Sequence, residues 1–317
     1  MPPLSDPLVF SRSAAPAIDR CAVAVGNFDG VHAGHAAIVA ALRTAADRLG
    51  VPALAFTFDP HPAAVLRPGG APAPLTTPQR RAELLLGLGL DAVLVQPTDA
   101  ALVALEAQAF YAEVLRRRLG AVAIVEGSDF RFGARRAGDV TLLADLCRRD
   151  GVAFDVVPPL LAGGLPVSSS RLRALISAGQ VREAAELSTA AYRLRGRVVV
   201  GKRRGATLGF PTANLAGIAT LVPGAGVYAA RTAVAGSVHA AAVHVGPNVS
   251  FDETEISIEV HVVGFAGDLY GSVLDVDFLD RLRDTRRFAS IDDLKTQLAA
   301  DVAAAVRVAD ASISGRT

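Results

Sequence analysis

The chain has 317 residues, of which 51% are hydrophobic, and its formal net charge at neutral pH is +1. This length and apolar content favour two folded domains and exclude a mainly disordered chain. The near-neutral charge gives no reason to expect a nucleic-acid or membrane-surface partner. The most apolar stretch, residues 84–95, is interrupted by Asp91 and is shorter than the ~20 residues of a membrane span.

The first twenty residues lack the basic start and long apolar centre of a secretory signal peptide, so no leader is expected. The two cysteines, Cys21 and Cys147, fit neither a metal-ligand spacing nor a disulfide framework. The cytoplasm is therefore the predicted compartment.

The first half of the chain alternates between two hydrophobic periodicities. Five apolar runs typical of buried strands are separated by four amphipathic segments typical of helices, each of which ends on glycine. The strands are predicted at 21–28, 51–59, 91–97, 121–130 and 152–160, and the helices at 35–50, 76–89, 107–120 and 139–151. This alternation predicts an α/β domain whose parallel sheet is covered on both faces. Sheets of this class bind ligands at the carboxyl ends of their strands.

The periodicity changes after a helix predicted at 168–188. From Arg195 onward, short alternating runs such as "RGRVVVG" and "GVYAARTAV" are separated by Gly/Pro turns, which predicts a β-barrel or a sandwich. A last amphipathic helix is predicted at 291–309. A boundary near residues 187–193 divides the chain into an N-terminal domain, 1–187, and a C-terminal domain, 188–317.

A candidate phosphate site lies in "AVGNFDGVHAGH", residues 24–35, where the first strand ends and a helix begins. Gly30 permits a sharp turn, and Gly34 permits close approach of a ligand to the backbone. The helix start directs free N–H groups at the strand tip, where His32 and His35 can donate to a phosphate during nucleotidyl transfer. Alternatively, the two histidines only cap the helix or pack locally. A zinc site is disfavoured, because only His61 could join them.

Further polar and aromatic residues follow other strands at the same predicted edge of the sheet. They are Asp59 after the second strand, Asp129 and Phe130 after the fourth, and Ser168, Ser169 and Arg171 at the start of the next helix. Asp129 and Phe130 offer hydrogen bonding and stacking to a flat aromatic ligand, although Phe130 is also compatible with the core. The serines are suited to capping the helix, and Arg171 to facing a phosphate.

Four motifs in this order, "GNFDGVHAGH", "TFDPHP", "GSDFRFG" and "SSSRLR", resemble the adenylyltransferase module of the bacterial bifunctional riboflavin kinase/FAD synthetases. "LTTPQRR" at 75–81 fits the same pattern. The resemblance implies adenylylation of FMN to FAD with ATP as co-substrate. It also implies catalytic roles for His32, His35 and Arg171, and nucleotide or flavin binding by Gly26, Phe28, Asp29, Gly34, Asp59, Asp129, Phe130, Ser168 and Ser169.

A second candidate site begins at "GKRRGATLGFPTANL", residues 201–215. Its glycine-rich loop, with Gly201 and Gly209, can approach phosphates. The Thr212 hydroxyl and the Asn214 amide are oxygen ligands that Mg²⁺ accepts beside ATP phosphates, although "PTAN" is also compatible with an ordinary turn. Because "GVYAA", "GPNVSF", "IEVHVV", "DLYG" and "RRF" follow in order, the segment resembles the flavokinase barrel of the same family, which implies riboflavin kinase activity.

Glu259 lies in the alternating strand pattern "ISIEVHVV", where a solvated position is the ordinary interpretation. The resemblance implies instead that Glu259 is the catalytic base, which accepts the proton of the ribityl hydroxyl as that oxygen attacks the γ-phosphorus of ATP. Arg281 and Arg283 are candidate substrate contacts assigned to the last helical region. Surface arginines explain them equally well.

Five residues near the second site depart from the family pattern. Lys202 stands where the family usually has Asp, Ala206 stands where it usually has Arg, and His244, Val249 and Ser250 alter a segment that usually begins Asn-Ile-Gly.

The sequence is interpreted as a cytoplasmic enzyme that makes FMN from riboflavin and then FAD, using Mg²⁺ and two ATP sites. The alternatives are an enzyme in which only one half is active, most plausibly with a weakened kinase, and a non-catalytic flavin-binding protein. No oligomeric state is predicted.

Overall fold

The computed structural model describes residues 4–11, 19–201, 204–247 and 255–314. Three of the departures, Lys202, Val249 and Ser250, lie outside the described residues. The contacts divide the chain into two compact units, Met1–Ser168 and Ser169–Thr317. In the part of the chain that the structure describes, no helix has the length and apolar content needed to cross a membrane.

The first unit is built on a six-stranded sheet with the order β1-β4-β3-β2-β5-β8. The strands are β1 Leu8–Ser11, β2 Cys21–Val25, β3 Ala53–Asp59, β4 Ala92–Pro97, β5 Ala121–Gly127, β6 Arg131–Phe132, β7 Gly138–Asp139, β8 Ala153–Val157, β9 Leu161–Ala162 and β10 Leu165–Pro166. The central strands are parallel, as predicted, while β1 is an antiparallel edge strand on β4 that was not predicted. The short pairs β6–β7 and β9–β10 form separate two-stranded sheets.

Both faces of this sheet are covered, because alternate residues of its strands enter two different apolar cores. All five residues of β2 are buried. Cys21, Val23 and Val25 belong to one core, and Ala22 and Ala24 to the other. The helices are α1 Ala33–Leu49, α2 Pro62–Leu66, α3 Pro78–Gly87, α4 Ala100–Val103, α5 Ala107–Ala109, which continues as a π-helix over Phe110–Arg118, and α6 Val140–Asp150; a short 3₁₀ turn covers Ala134–Arg136.

The strand order reverses between β2 and β5, since the chain moves from β2 to β3 and β4 on one side and adds β5 and β8 on the other. In open parallel sheets the crevice at such a reversal is where ligands bind, beyond the carboxyl ends of the strands. The turn after β2 is therefore placed at the ligand-binding edge.

The second unit is a closed antiparallel barrel with the order β11-β12-β15-β14-β13-β16, which decides between the predicted barrel and sandwich. Its strands are β11 Tyr192–Val199, β12 Ala213–Ala216, β13 Gly226–Val234, β14 Ser237–Gly246, β15 Ser257–Val262 and β16 Val273–Arg283. Its helices are α7 Ser169–Ser177, α8 Val181–Glu186, α9 Arg204–Thr207 and α10 Ile291–Ser314. Helix α10 packs against β13, β14 and β16.

The helix predicted at 168–188 is two helices, because the chain turns at Gly179 between α7 and α8. Gly179 has a φ of +77°, which side chains rarely adopt, and a Cβ there would lie 2.6 Å from the hydroxyl oxygen of Tyr228. Helix α8 then packs on β16 and β11.

A buried ion pair attaches α10 to the barrel. Asp301, Ala305 and Ala309 are spaced four apart along one face of the helix, and all three are buried. The Arg283 guanidinium on β16 donates from Nε to Asp301 Oδ1 at 3.0 Å and from Nη2 to Oδ2 at 2.7 Å. Gln297 Nε2 also donates to Asp301 Oδ1 at 2.8 Å. The carboxylate is therefore neutralised and hydrogen-bonded where it is buried.

We expect Asp301→Ala to destabilise the barrel unit by about 3 kcal/mol, because breaking a buried pair leaves an uncompensated charge on Arg283. Urea unfolding followed by circular dichroism measures the loss, and hydrogen exchange of the α10 peptides locates it. Asp292→Ala, at an exposed position of the same helix, is the matched control and is expected to have a much smaller effect. Equal effects of the two substitutions would contradict a stabilising role of the pair.

Candidate active sites

The turn after β2 has an unusual backbone that buried side chains hold in place. Phe28 and Val31 have φ values of +45° and +37°, which cost a non-glycine residue of order 1–3 kcal/mol each. Both side chains are buried, at 3% and 0% exposure. Gly30 has a φ of +81°, and a Cβ there would lie 2.8 Å from Leu75 Cδ1. Packing in the core therefore fixes the shape of this turn.

His32 and His35 cap the start of α1 reciprocally. The His35 backbone N–H donates to His32 Nδ1 at 3.3 Å, and the His32 backbone N–H donates to His35 Nδ1 at the same distance. Because both Nδ1 atoms accept, each neutral ring carries its proton on Nε2. The rings stack with centroids 3.6 Å apart. A Cβ at residue 34 would lie 3.1 Å from the His32 ring, so Gly34 makes room for this stack.

The electrostatic surroundings keep both imidazoles neutral at pH 7. Burial lowers the pKa of His32 to about 4, although the nearby carboxylates of Asp129 and Asp29 act in the opposite direction. Burial also lowers the pKa of His35 well below 6.5, and His32 and Arg81 lower it further. The histidines do cap the helix, which was the alternative to a role in binding phosphate. The same cap leaves two neutral Nε2–H donors.

Asp29 fastens the turn to the loop before α3. Its buried carboxylate accepts from the backbone N–H groups of Leu75 and Thr76 at 2.9–3.0 Å and from the Thr76 hydroxyl at 2.9 Å. Arg81 Nη2 lies 3.8 Å from Asp29 Oδ1, and Arg81 Nη1 donates to Thr57 Oγ1 at 3.0 Å. These contacts turn the Asp29 carboxylate toward the protein. Its predicted contact with a ligand stays a prediction.

The other predicted residues of the first site lie where their motifs placed them. Asp59 is the exposed last residue of β3, and Asp129 is exposed just after β5. Phe130 is partly buried against the core and stacks on Phe132 with centroids 5.5 Å apart. Ser169 and Arg171 lie in the first turn of α7, with Ser168 just before it. His61 caps α2 by accepting from the Ala63 N–H at 3.0 Å. The predicted roles of these residues in binding or catalysis stay predictions; they are Asp59, Asp129, Phe130, Ser168, Ser169 and Arg171.

The sequence did not single out Glu126, which is buried in β5 with 2% exposure. The β2–β5 pairing ends at Val23 and Ile124, and beyond it Glu126 Oε1 accepts from the Val25 backbone N–H at 2.7 Å. Burial raises the pKa of this carboxyl well above its usual value. Its side chain thus replaces a ladder hydrogen bond where the two strands separate. An acid inside the run "AVAIVEG" was the available signal.

On the outer face of the barrel, the structure brings three residues of the second site together. Asn214 on β12 is paired directly with Glu259 on β15. The Thr212 hydroxyl donates to Glu259 Oε2 at 3.4 Å, and the Ser257 hydroxyl donates to Oε1 at 3.3 Å. Glu259 alternates with the buried neighbours Ile258 and Val260, so it faces away from the barrel core. The carboxylate is half-buried among polar groups.

Two glycines of the segment 201–215, Gly201 and Gly205, lie close to the same residues. A Cβ at Gly201 would lie 2.2 Å from Asn214 Nδ2, so a side chain at this position would displace the Asn214 amide. A Cβ at Gly205, in α9, would lie 3.3 Å from Thr212 Oγ1. Gly209 is exposed in the turn after α9. Ala206 lies within α9.

The assignment of Arg281 and Arg283 to a helical region is wrong, because both lie in β16, which extends to residue 283. Alternating Leu, Asp and Arg residues continue this strand beyond its apolar part. Arg281 Nη2 donates to Ala225 O at 2.5 Å and lies 2.8 Å from Asp284 Oδ1. Arg283 pairs with Asp301, as described above. The predicted contact of Arg281 with a ligand stays a prediction.

We expect His32 alone to contribute a loss of about 3 kcal/mol to the free energy of unfolding of the first unit as the pH falls from 6.5 to 4. In that window the unfolded chain protonates His32 while the folded chain does not, so the stability present above pH 6.5 is lost toward pH 4. Urea unfolding at several pH values measures this slope. His32→Asn keeps a capping side chain but no titrating ring, so its slope is expected to be shallower. An unchanged slope would contradict the neutral cap.

Comparisons with known proteins cover both units. A family model described as FAD synthetase matches residues 15–171, and one described as riboflavin kinase matches residues 188–309. The bifunctional riboflavin kinase/FMN adenylyltransferase of Pseudomonas fluorescens is 38% identical over 90% of this chain and 92% of that protein. The protein of the same name from Escherichia coli K12 is 33% identical over 92% of this chain and 94% of that protein.

A solved structure has the same fold. A crystal structure described as a macrolide-efflux protein from Streptococcus pneumoniae superposes with a TM-score of 0.79 at 34% sequence identity, and the match covers 89% of this chain and 92% of that chain. Relatives of this identity and coverage, together with the two family models, establish the family. The chain belongs to the family of bifunctional riboflavin kinase/FMN adenylyltransferases.

Proposed function

We propose that this chain phosphorylates riboflavin to FMN at the Glu259 site and adenylylates FMN to FAD at the His32–His35 site. We assign the adenylyltransferase to residues 1–187 and the kinase to residues 188–317; the family matches over residues 15–171 and 188–309 support this assignment. The observation that supports the chemistry is that each unit presents groups suited to it: two neutral N–H donors in the first unit, and in the second a carboxylate beside the Thr212 hydroxyl.

In the adenylyltransferase, a phosphate oxygen of FMN attacks the α-phosphorus of ATP, and the bond from that phosphorus to the bridging oxygen breaks to release pyrophosphate. Negative charge builds on the non-bridging oxygens and on the departing group. The Nε2–H groups of His32 and His35 and the N-terminus of α1 stabilise that charge, and their fixed tautomers require no reorganisation during the reaction. Arg171, with Ser168 and Ser169, adds positive charge and hydroxyl donors for the phosphates. Gly26, Phe28, Asp59, Asp129 and Phe130 contribute to binding the nucleotide and the flavin.

In the kinase, the ribityl hydroxyl of riboflavin attacks the γ-phosphorus of ATP, and ADP leaves. The hydroxyl is too weak an acid to ionise at neutral pH, so Glu259 accepts its proton as the new O–P bond forms. The Thr212 and Ser257 hydroxyls lie 3.4 and 3.3 Å from the carboxylate oxygens and are the groups that we expect to orient it. The Gly201 loop and Gly209 leave backbone free to approach the triphosphate, and Arg281 supplies a positive charge near the substrate.

The donor set of the kinase site fits Mg²⁺. Thr212 and Asn214 present a hydroxyl and an amide oxygen beside a carboxylate, and hard oxygen ligands are those that Mg²⁺ prefers in proteins. These two residues would hold the ion. When bound, Mg²⁺ neutralises charge on the ATP phosphates.

Two further points belong to the proposal. We place the enzyme in the cytoplasm, where ATP is available and where the free, buried thiols of Cys21 and Cys147 stay reduced. A single-activity enzyme and a non-catalytic flavin-binding protein were the alternatives. No observation favours either, because both units match their family models and His32, His35, Thr212, Asn214 and Glu259 are all present.

The test is product analysis with two variants that separate the sites. Wild-type protein with riboflavin, MgATP and a reductant is expected to yield FMN and then FAD on chromatography. Glu259→Gln is expected to lower riboflavin phosphorylation about 10²- to 10⁴-fold and to leave FAD formation from supplied FMN intact. His32→Asn keeps a helix cap but loses one imidazole donor, so it is expected to lower FAD formation about 10²-fold with FMN formation unchanged.

Wild-type protein that makes neither FMN nor FAD would overturn the proposal. A variant that impairs both reactions equally would contradict the assignment of one reaction to each unit. Far-UV circular dichroism of each variant checks that its fold is retained.

A further inference from the structure

His244 lies beside the proposed base on the outer face of the barrel. It is paired directly with Glu259 across β14 and β15, and Glu259 is in turn paired with Asn214 on β12. Buried Val243 and Val245 flank His244 along its strand, just as buried residues flank Glu259. Directly opposite residues of an antiparallel pair have Cβ atoms about 5 Å apart on one face of the sheet. Asn214, Glu259 and His244 therefore form one row of polar side chains.

The row ends where α10 begins to cover the barrel. Val227 on β13 is paired with His244 on one side and with Arg283 on the other. Arg283 is held by Asp301 of α10, and α10 packs on β13, β14 and β16. His244 thus lies between the helix-covered part of the barrel and the strands that carry Glu259 and Asn214.

One ring nitrogen of His244 lacks a hydrogen-bond partner among the described residues. This nitrogen, Nδ1, is buried. Burial lowers the pKa of the ring, and Arg283 lowers it further, while Glu259 acts in the opposite direction. A neutral imidazole carries one N–H. An enclosed N–H without an acceptor is costly, so the proton belongs on Nε2, which leaves an N–H donor in the row beside a carboxylate acceptor.

A hydroxyl group suits this pair, because a hydroxyl accepts one hydrogen bond and donates another. Riboflavin brings one hydroxyl to this place, the terminal hydroxyl of its ribityl chain, which must give its proton to Glu259 during phosphoryl transfer. We propose that His244 binds this attacking hydroxyl, donating from Nε2–H to its oxygen and so directing its proton at Glu259. The inference rests on the proposed kinase function and adds a residue that discriminates substrates by their terminal hydroxyl.

Binding to riboflavin and to riboflavin lacking the terminal hydroxyl, measured by quenching of flavin fluorescence, tests this inference. Wild-type protein is expected to prefer riboflavin about tenfold, the effect of one hydrogen bond in a partly buried site. In His244→Ala this preference is expected to fall to about twofold, because the donor is lost. His244→Asn presents an amide N–H and is expected to retain an intermediate preference. Steady-state kinetics is expected to show a reduced kcat for FMN formation in His244→Ala, with the KM for ATP unchanged.

His239→Ala is the matched control, since it removes an imidazole from the same strand, where His239 Nδ1 contacts Val263 O at 3.1 Å. It is expected to keep the wild-type preference. An undiminished preference in both His244→Ala and His244→Asn, in protein with wild-type circular dichroism, would overturn the inference. That outcome differs from a failure of the proposed function, in which wild-type protein itself makes no FMN.

Discussion

The start of a buried helix must satisfy its free backbone N–H groups, and α1 does so with two imidazoles that cap each other. This interaction fixes the tautomer of both rings, because a ring nitrogen that accepts a backbone hydrogen bond cannot carry a proton. It also fixes their position at the point where the strand order reverses and ligands bind in this class of sheet. The strained turn after β2, the enclosed carboxylate of Asp29 and the room left by Gly34 all support this arrangement. The two side chains that cap the helix are thus the same two to which we assign a catalytic role.

The barrel also fixes the positions of its candidate functional side chains, but it does so through strand pairing. Its strand register, rather than a helix start, places Asn214, Glu259 and His244 side by side, and hydroxyls of Thr212 and Ser257 donate to the carboxylate between them. The first site thus offers two neutral N–H donors, and the second offers a carboxylate that accepts hydrogen bonds. This difference matches the chemistry proposed for each, since adenylylation of a phosphate needs charge stabilisation and phosphorylation of an alcohol also needs a base.

The sequence predicted those elements of secondary structure that form because of residues close together in the chain. The parallel sheet, the barrel strands and the start of α1 follow from periodicity, glycines and capping residues close together in the chain. Edge strand β1 was missed because it is short and partly exposed, and the break at Gly179 was missed because the amphipathic pattern continues through it. Glu126 and the pairing of His244 with Glu259 depend on strand register between distant segments. Arg281 and Arg283 were misplaced because polar residues form the end of β16, where the strand continues beyond its apolar part.

The central claim is that His32 and His35 are held as neutral rings with the proton on Nε2, and ¹⁵N NMR of the imidazole nitrogens at pH 7 tests it most directly. We expect an unprotonated Nδ1 and a protonated Nε2 for both rings, with the signals assigned by their loss in His32→Asn and in His35→Gln. A protonated Nδ1 on either ring, whether as the other tautomer or as an imidazolium, would contradict the reciprocal cap and the donor role that depends on it.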